Sequence, residues 1–365
     1  MNTLTRVKIP DRPGRSYTIL IRQGLFDQLP TLILEKWRGR KVFIITDSNV
    51  RRLYGSRILK AFSADGWDAW LLDFPAGEKS KNAETYFSLQ TALLGLGIRR
   101  DCLIIALGGG VVGDVAGFVA ATVLRGVEYV QVPTTLLAQV DSSVGGKVGI
   151  DHHYGKNLIG AFHQPAAVYI DPGVLRTLPA VEFRNGLAEV VKIAAALDAR
   201  FFREIERKAS LVTKSNASLL SHVISQSVGL KAAVVGKDEL DTGLRKVLNL
   251  GHTLGHAFEA ATNYEVKHGV AVALGLVAES KIAVTMGLLH RRDYRRIVNL
   301  LRALKLPTKV PRIRHKSRFS AALGMDKKSE ANATKFVLLK GIGHSVVGVE
   351  VPTRFIVDSL SSRVV

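Results

Sequence analysis

The spacing of apolar residues changes partway along this chain. In the first half, short β-branched runs at 41–46, 103–107 and 129–133 stop at turn-forming residues: Asp47-Ser48-Asn49, Gly108-Gly109-Gly110 and Pro133. Between them, 83–94 and 112–123 repeat apolar positions at helical spacing. Strands alternating with helices predict a parallel, doubly wound α/β sheet, on which ligands bind where strands end in loops. From about 172 the pattern turns helical. Residues 183–197, 201–209, 217–235, 244–261 and 270–286 read as helices, and strand signals vanish until 335–339. The change predicts a boundary at 172–180, with an α/β domain over 1–175 and a mainly α-helical domain over 176–365.

Composition adds limits to this outline. A chain of 365 residues, 47% of them hydrophobic, exceeds one ordinary core and argues for two ordered domains. The longest apolar candidate, 270–284, is interrupted by Glu279 and Lys281, so no run is expected to span a membrane. The first ten residues lack a basic-then-apolar signal pattern, and a cytoplasmic location is expected. The single cysteine, Cys102, beside the 103–107 run, reads as a buried strand residue. It makes thiolate metal sites unexpected, so a metal must rely on His, Asp or Glu.

Lys and Arg number 51 against 31 Asp and Glu, a formal charge of +20 that suits anionic partners. Much of the excess lies between 291 and 318. There Arg291, Arg292, Arg295, Arg296, Arg302, Lys305, Lys309, Arg312, Arg314, Lys316 and Arg318 face one acid, Asp293. Only Tyr294 interleaves them and no nucleic-acid motif is visible. A solvated surface is expected there, and no nucleic-acid partner.

Several segments carry chemistry. Gly108 to Asp114 (GGGVVGD) follows a strand and opens a helix. Glycines there let a pyrophosphate approach the helix N-terminus, although a tight strand-to-helix turn needs them equally. Asp47, ending an earlier strand, suits either a ribose or adenine edge or a helix N-cap. Lys147 and Lys156 stand in a glycine-rich stretch and offer ammonium groups to anions. Glu189 and Lys192 are three apart and read as an ion pair on one helix face, unless Glu189 meets histidines in space. His252 and His256 are four apart, which puts both imidazoles on one helix face, with His268 following in Lys267-His268-Gly269. The pair reads as a metal or acid/base site, or as hydrogen-bonded core histidines. One carboxylate with two histidines is a common zinc set.

These motifs, taken in order, resemble the 3-dehydroquinate synthase family of sugar-phosphate cyclases. They are GGGVVGD at Gly108, VPTTLLAQVDSSVGGKVGID from Val132, GKNLIGAFHQP from Gly155, GLAEVVK from Gly186, RKVLNLGHTLGHAFE from Arg245 and MDKK from Met325. The resemblance covers the chain from about Asp47 to Leu339. It implies a Rossmann-like NAD-binding domain followed by a mainly helical domain that binds metal and substrate, with the site in the cleft between. It assigns a divalent metal, Zn or Co, to Glu189, His252 and His268, and moves His256 to the substrate as a polar or proton-transferring group. NAD contacts map onto Asp47, Glu78, Lys81, Gly109, Gly110, Gly113, Asp114, Thr134, Thr135, Lys147 and Lys156. Substrate contacts map onto Asp141, Lys147, Asn157, Lys192, Lys231, Arg245, Asn249, His256, Lys327 and Lys328. Arg125 resembles an arginine that reaches the phosphate site across a homodimer interface. The chain departs from the family pattern at Asp241, where glutamate is common, and at Val270, where an acid is common.

The activity implied is conversion of the anionic 3-deoxy-arabino-heptulosonate 7-phosphate to 3-dehydroquinate and phosphate. The route is transient oxidation by NAD, phosphate elimination, re-reduction and intramolecular aldol closure. Three rival readings remain: metal-dependent polyol or glycerol-phosphate dehydrogenases, which would accumulate NADH; other sugar-phosphate cyclases; and a non-catalytic nucleic-acid binder using the basic C-terminal third.

Overall fold

Seven strands of the first half share one sheet in the computed structural model, which describes residues 2–9, 15–213, 216–310, 313, 315–324 and 334–360. Contacts divide the chain into two units, Met1–Pro179 with Leu220–Leu240, and Ala180–Leu219 with Asp241–Val365.

The strands of the first unit are β1 (Asn2–Val7), β2 (Tyr17–Arg22), β3 (Val42–Asp47), β4 (Ala69–Phe74), β5 (Leu103–Gly108), β6 (Tyr129–Pro133), β7 (Lys147–His152), β8 (Gly155–Phe162) and β9 (Ala167–Ile170). The main sheet runs β1-β2-β9-β6-β5-β3-β4, with β7 and β8 forming a separate antiparallel hairpin. Within the main sheet, among the described residues, only β1 runs antiparallel to its neighbour. The accompanying helices are α1 (Leu29–Trp37), α2 (Ser48–Val50), α3 (Ser56–Ala64), α4 (Ala83–Gly95) and α5 (Gly110–Thr122).

Successive side chains of a strand point to opposite faces, and a parallel sheet is covered on both. Val42, Ile44, Leu103, Ile105 and Leu107 accordingly pack with Leu29, Ile33, Ile58 and Phe62 of α1 and α3. Phe43, Ile45, Ile104 and Ala106 pack with Leu89, Leu93, Val115 and Val119 of α4 and α5. This explains why the expected strands read as unbroken apolar runs. Because β3 pairs with β4 on one side and β5 on the other, the winding direction reverses there. Ligand crevices form at such a reversal, outside the carboxyl ends of the strands, here Asp47 and Gly108.

Helices dominate the second unit: α6 (Ala180–Leu197), α7 (Ala199–Lys208), α9 (His252–Ala261), α10 (His268–Thr285), α11 (Arg291–Ala303), α12 (Lys316–Ala322) and α13 (Thr353–Leu360). One antiparallel hairpin, β10 (Thr334–Gly341) with β11 (His344–Val351), joins them. An α/β parallel-sheet domain followed by a mainly helical region is the fold class expected. The intervening α8 (Ala217–Lys237) belongs to the first unit from Leu220 onward.

Three expectations need correction, and one holds. The helix read at 244–261 is broken: a 3-10 turn covers Leu244–Asn249, Gly251 is left-handed at φ 78°, and α9 starts afresh at His252. Two helices, Ala217–Lys237 and His268–Thr285, are long and apolar enough by composition to cross a membrane. Yet 56% and 78% of their apolar windows are buried within the protein, as in core helices. The basic stretch is solvated as expected where it is described: Arg291, Arg292, Arg295 and Arg302 are exposed, while the apolar face of α11 buries Ile297, Val298, Leu300 and Leu301. Cys102 is buried but precedes its strand, accepting a hydrogen bond from the Arg99 amide. Arg312, Arg314, Lys327 and Lys328 lie outside the described residues.

Candidate metal centre and dinucleotide site

Three helices of the second unit place the candidate ligands. Glu189 and Lys192 sit in α6, whose residues from Leu187 through Ala196 are all buried. His252 opens α9, and His268 opens α10. One donor atom from each of Glu189, His252 and His268 falls within 4.8 Å of the others. Glu189 Oε1 lies 3.2 Å from His268 Nε2 and 3.7 Å from His252 Nε2, and Lys192 Nζ stands 2.7 Å from Oε2. Both carboxylate oxygens are buried without a well-formed hydrogen bond. A buried carboxylate left to charge pairing alone, facing two imidazoles, fits a divalent cation that favours nitrogen and oxygen donors.

The electrostatics distinguish the three groups. Burial raises the Glu189 carboxyl, but Lys192, His268 and His252 outweigh it and hold it well below the usual range. Burial pushes the His252 imidazole down to about 3, so it is neutral, the form that ligates metals. Burial also disfavours the charged form of His268, yet Glu189 and Glu259 overcome it and lift the imidazole to about 10.

His256 stands apart from that trio. Its ring lies 5.3 Å from that of His252, as the four-residue spacing predicts, but the side chain is exposed. A second trio of His256, Glu259 and His268 shares His268. Among the described residues no such trio holds His252 and His256 together.

Two buried carboxylates near the centre received no role from the sequence. Glu259, 1% exposed, stands 3.7 Å from His268 Nδ1, a common arrangement for orienting a metal-binding histidine. Glu279, fully buried in α10, accepts hydrogen bonds from the Gly251 and Leu254 amides at 2.6 and 2.9 Å. The signal for Glu279 was visible as an acid inside an apolar helix, which must find partners.

In the first unit the glycine turn ends β5 and opens α5. Gly109 is the N-cap and makes no side-chain cap, so the helix N-terminus keeps amide donors for an anion. A Cβ on Gly109 would stand 3.0 Å from Thr135 Cγ2, and one on Gly110 would stand 3.2 Å from Ser142 Oγ. A Cβ on Gly113 would come within 2.7 Å of Gln131 Oε1. Gly109 therefore holds the turn against the loop that carries Thr134 and Thr135, while Gly110 and Gly113 make room for Ser142 and Gln131. Asp47 caps α2, its Oδ1 accepting from the Asn49 and Val50 amides. The N-cap reading of Asp47 thus applies, at the carboxyl end of β3 where the sheet reverses.

Charged residues gather in the same unit. Lys81 Nζ donates to Asp114 Oδ2 at 2.6 Å and also contacts Asn157 Oδ1. Asn157, left-handed at φ 57°, donates its amide to Asp151 Oδ1, and Asp151 donates its amide to the Lys81 carbonyl. Burial opposes the Lys81 charge, but Asp114, Glu78 and Asp151 outweigh it and raise the ammonium. Glu78 and Lys156 form an ion pair at 3.1 Å. Lys231 donates to the Asp141 carbonyl and carboxylate at 2.8 and 2.6 Å.

Lys147 starts β7 and is exposed. Arg125 is exposed just past the C-terminus of α5, about 20 Å from the glycine turn at 1.5 Å per residue, so it does not join this cluster. In the second unit, Arg245 is buried and Asn249 exposed in the turn before α9, and Asp241 takes a left-handed φ of 58°.

Two family models match this chain in tandem: 3-dehydroquinate synthase N-terminal over residues 71–185, and 3-dehydroquinate synthase C-terminal over 186–329. The chain belongs to the 3-dehydroquinate synthase family. It is 42% identical over 359 residues to the 3-dehydroquinate synthase of Nostoc punctiforme, covering 98% of each chain. The enzyme of that name from Pelobacter propionicus is 46% identical over 333 residues, covering 91% of this chain and 92% of its own.

Solved cyclases share the fold. The 2-epi-5-epi-valiolone synthase of Streptomyces hygroscopicus subsp. jinggangensis, with NAD+ and Zn2+ bound, superposes with a TM-score of 0.86 at 29% identity, covering 94% of this chain and 95% of that one. A 2-deoxy-scyllo-inosose synthase complexed with carbaglucose-6-phosphate, NAD+ and Co2+ gives 0.87 at 25%, covering 98% and 99%. A probable glycerol dehydrogenase from Sinorhizobium meliloti, at 15% identity and a TM-score of 0.65, covers 94% of each chain and shares the fold alone.

Proposed function

We propose that this protein is a 3-dehydroquinate synthase, an NAD- and metal-dependent lyase of the shikimate pathway. It converts 3-deoxy-arabino-heptulosonate 7-phosphate to 3-dehydroquinate and phosphate. The observation that carries the reading is the gathering of Glu189, His252 and His268, drawn from three helices, in a chain with full-length relatives of that name. Neighbours that hold NAD+ with Zn2+ or Co2+ support the cofactors.

Glu189, His252 and His268 would hold the metal. The α5 N-terminus, with Gly109, Gly110, Gly113, Thr134 and Thr135, would receive the dinucleotide pyrophosphate, and Asp47, Glu78, Lys81, Asp114 and Lys156 its flanking groups. When bound, NAD supplies a reversible hydride acceptor and the metal supplies Lewis acidity toward the substrate hydroxyl. Lys147, Asn157, Lys192, Lys231, Arg245 and, outside the described residues, Lys328 are the groups assigned to a doubly anionic substrate, and a buried cation such as Arg245 binds anionic oxygens more strongly than an exposed one. Asp141 holds the Lys231 ammonium in place. His256, exposed one turn beyond His252, offers a ring nitrogen that can hold or pass a proton, and Asn249 a neutral hydrogen-bonding group. A homodimer in the cytoplasm, with Arg125 completing the partner's phosphate site, belongs to the same proposal.

The test is phosphate release from the heptulosonate phosphate, with and without NAD and chelator. Release that needs both NAD and metal, without NADH build-up, is expected. Steady NADH accumulation would point to a dehydrogenase instead, and indifference to NAD and chelator would refute the mechanism.

A further inference from the structure

We propose that Glu279 is a positioning residue that selects the tautomer and orientation of His252, acting through the Leu250–Gly251 peptide group. The inference rests on the metal-site reading above but concerns a residue outside the ligand set.

The geometry is a short relay. His252 Nδ1 lies 3.2 Å from the Leu250 carbonyl oxygen. A carbonyl oxygen only accepts, so Nδ1 carries the proton and Nε2, the nitrogen facing Glu189, keeps its lone pair. The N–H on the other side of that same peptide plane, at Gly251, donates to Glu279 Oε2 at 2.6 Å. One planar group is thus gripped at both ends. An acceptor oxygen held this close to the N–H polarises the attached C=O and strengthens its hold on the imidazole.

Local structure leaves this task to Glu279. Gly251 is the N-cap of α9 and has no side chain with which to cap it. Glu279 supplies that cap from α10, with its second oxygen on the Leu254 amide at 2.9 Å. Gly275, one turn earlier on the same face of α10, lets the helices approach: a Cβ there would stand 1.9 Å from the Gly251 carbonyl oxygen. His268, Val272, Gly275 and Glu279 are spaced four, three and four apart, one continuous stripe of α10. The stripe that begins with one metal-ligand candidate therefore ends by fixing the other.

The experiment compares wild type, E279Q and E279L in two readouts. The first is Co2+ titration followed by visible absorption. Wild type should bind one Co2+ with a four- or five-coordinate spectrum, E279L should bind roughly 10–100-fold more weakly with an altered spectrum, and E279Q should fall between. The second uses protein labelled with 15N-histidine and free of metal. Wild-type His252 should show a protonated Nδ1 and an unprotonated Nε2, while E279L should show a tautomer mixture. Should E279L fail to fold, E279Q carries both comparisons. Unchanged Co2+ affinity and an unchanged His252 tautomer in a folded variant overturn the proposal. A wild type that binds no Co2+ overturns the metal-site reading, and the 15N comparison still decides the role of Glu279.

Discussion

Replacing Gly275 by alanine tests the α9–α10 contact, the closest approach at the candidate centre. The added Cβ would stand 1.9 Å from the Gly251 oxygen, 2.8 Å from its carbonyl carbon and 3.0 Å from the Gly255 nitrogen, all backbone atoms that cannot rotate aside. Reaching even 3.0 Å from that oxygen requires the helices to part by at least about 1.1 Å, and overpacking of this kind costs about 1–3 kcal/mol or more. For a cooperative unit of this size each kcal/mol lowers Tm by about 2–4 °C, so a drop of about 2–12 °C is expected by circular dichroism. The same displacement moves His252 off its position opposite Glu189, so Co2+ affinity should fall with stability. Gly229 in α8 is the control. No atom lies within 4 Å of a Cβ built there, and alanine should be neutral or stabilising by about 0.4–1 kcal/mol. A G275A protein with wild-type Tm and wild-type Co2+ affinity would refute the argument that this close approach sets the centre.

Other outcomes follow from the same geometry. K81M leaves the partly buried Asp114 beside Lys81's former place, and losing its partner should cost about 1–3 kcal/mol in thermal or urea unfolding; K81M/D114L should recover part of that loss, and equal losses in both proteins would count against the pairing. Because His268 holds its proton up to about 10 in the metal-free chain, its pairing stabilises fully below the unfolded value near 6.5 and is lost as pH rises toward 10. Metal must displace that proton, so calorimetry in buffers of different ionisation enthalpy should show proton release at pH 7–8 and affinity rising with pH; E259Q should lessen both, and no proton release would refute the assignment. If Arg125 serves the partner's site, mixing inactive R125A and H252A proteins should restore activity by forming mixed dimers, and a mixture as inactive as its components would remove Arg125 from that role.

The parallel core is legible because its central strands are buried on both faces. Phe43 to Ile45 and Leu103 to Leu107 need no alternation to declare themselves. The edge strand β1 alternates between exposed and partly exposed positions and its neighbour β2 between buried and partly exposed ones, and the register of β1 comes from its pairing with β2 rather than from a local signal. The β7–β8 hairpin gives no strand signal in its glycine-rich stretch, yet Gly149 and Gly160 are there so that the two backbones can approach: a Cβ on Gly160 would stand 2.2 Å from the Val148 carbonyl oxygen. The break at Gly251 is hidden for a similar reason. The pattern over 244–261 is continuous, and the interruption depends on Gly275 and Glu279, distant in sequence. Spacing places His252 and His256 on one face; it does not say which of them lies deep enough to meet Glu189.

Glu189 and Lys192 show where spacing stops being informative. Three apart on a helix, they look the same whether the face is solvated or buried, and on a surface such a pair contributes at most about 0.5 kcal/mol. Here the side chains are 0% and 2% exposed. Burial changes the sign of the question: the pair is no longer a small gain but a large desolvation cost that must be offset locally, because removing either partner strands a charge in a low-dielectric interior. Lys192, His268 and His252 together keep the carboxyl ionised, which is the state a cation requires. What converts a commonplace ion pair into a candidate ligand set is the apolar belt around α6, to which α10 contributes from a distant part of the chain. Chemistry at this centre is therefore encoded less in the charged residues than in the hydrophobic ones that keep water from them.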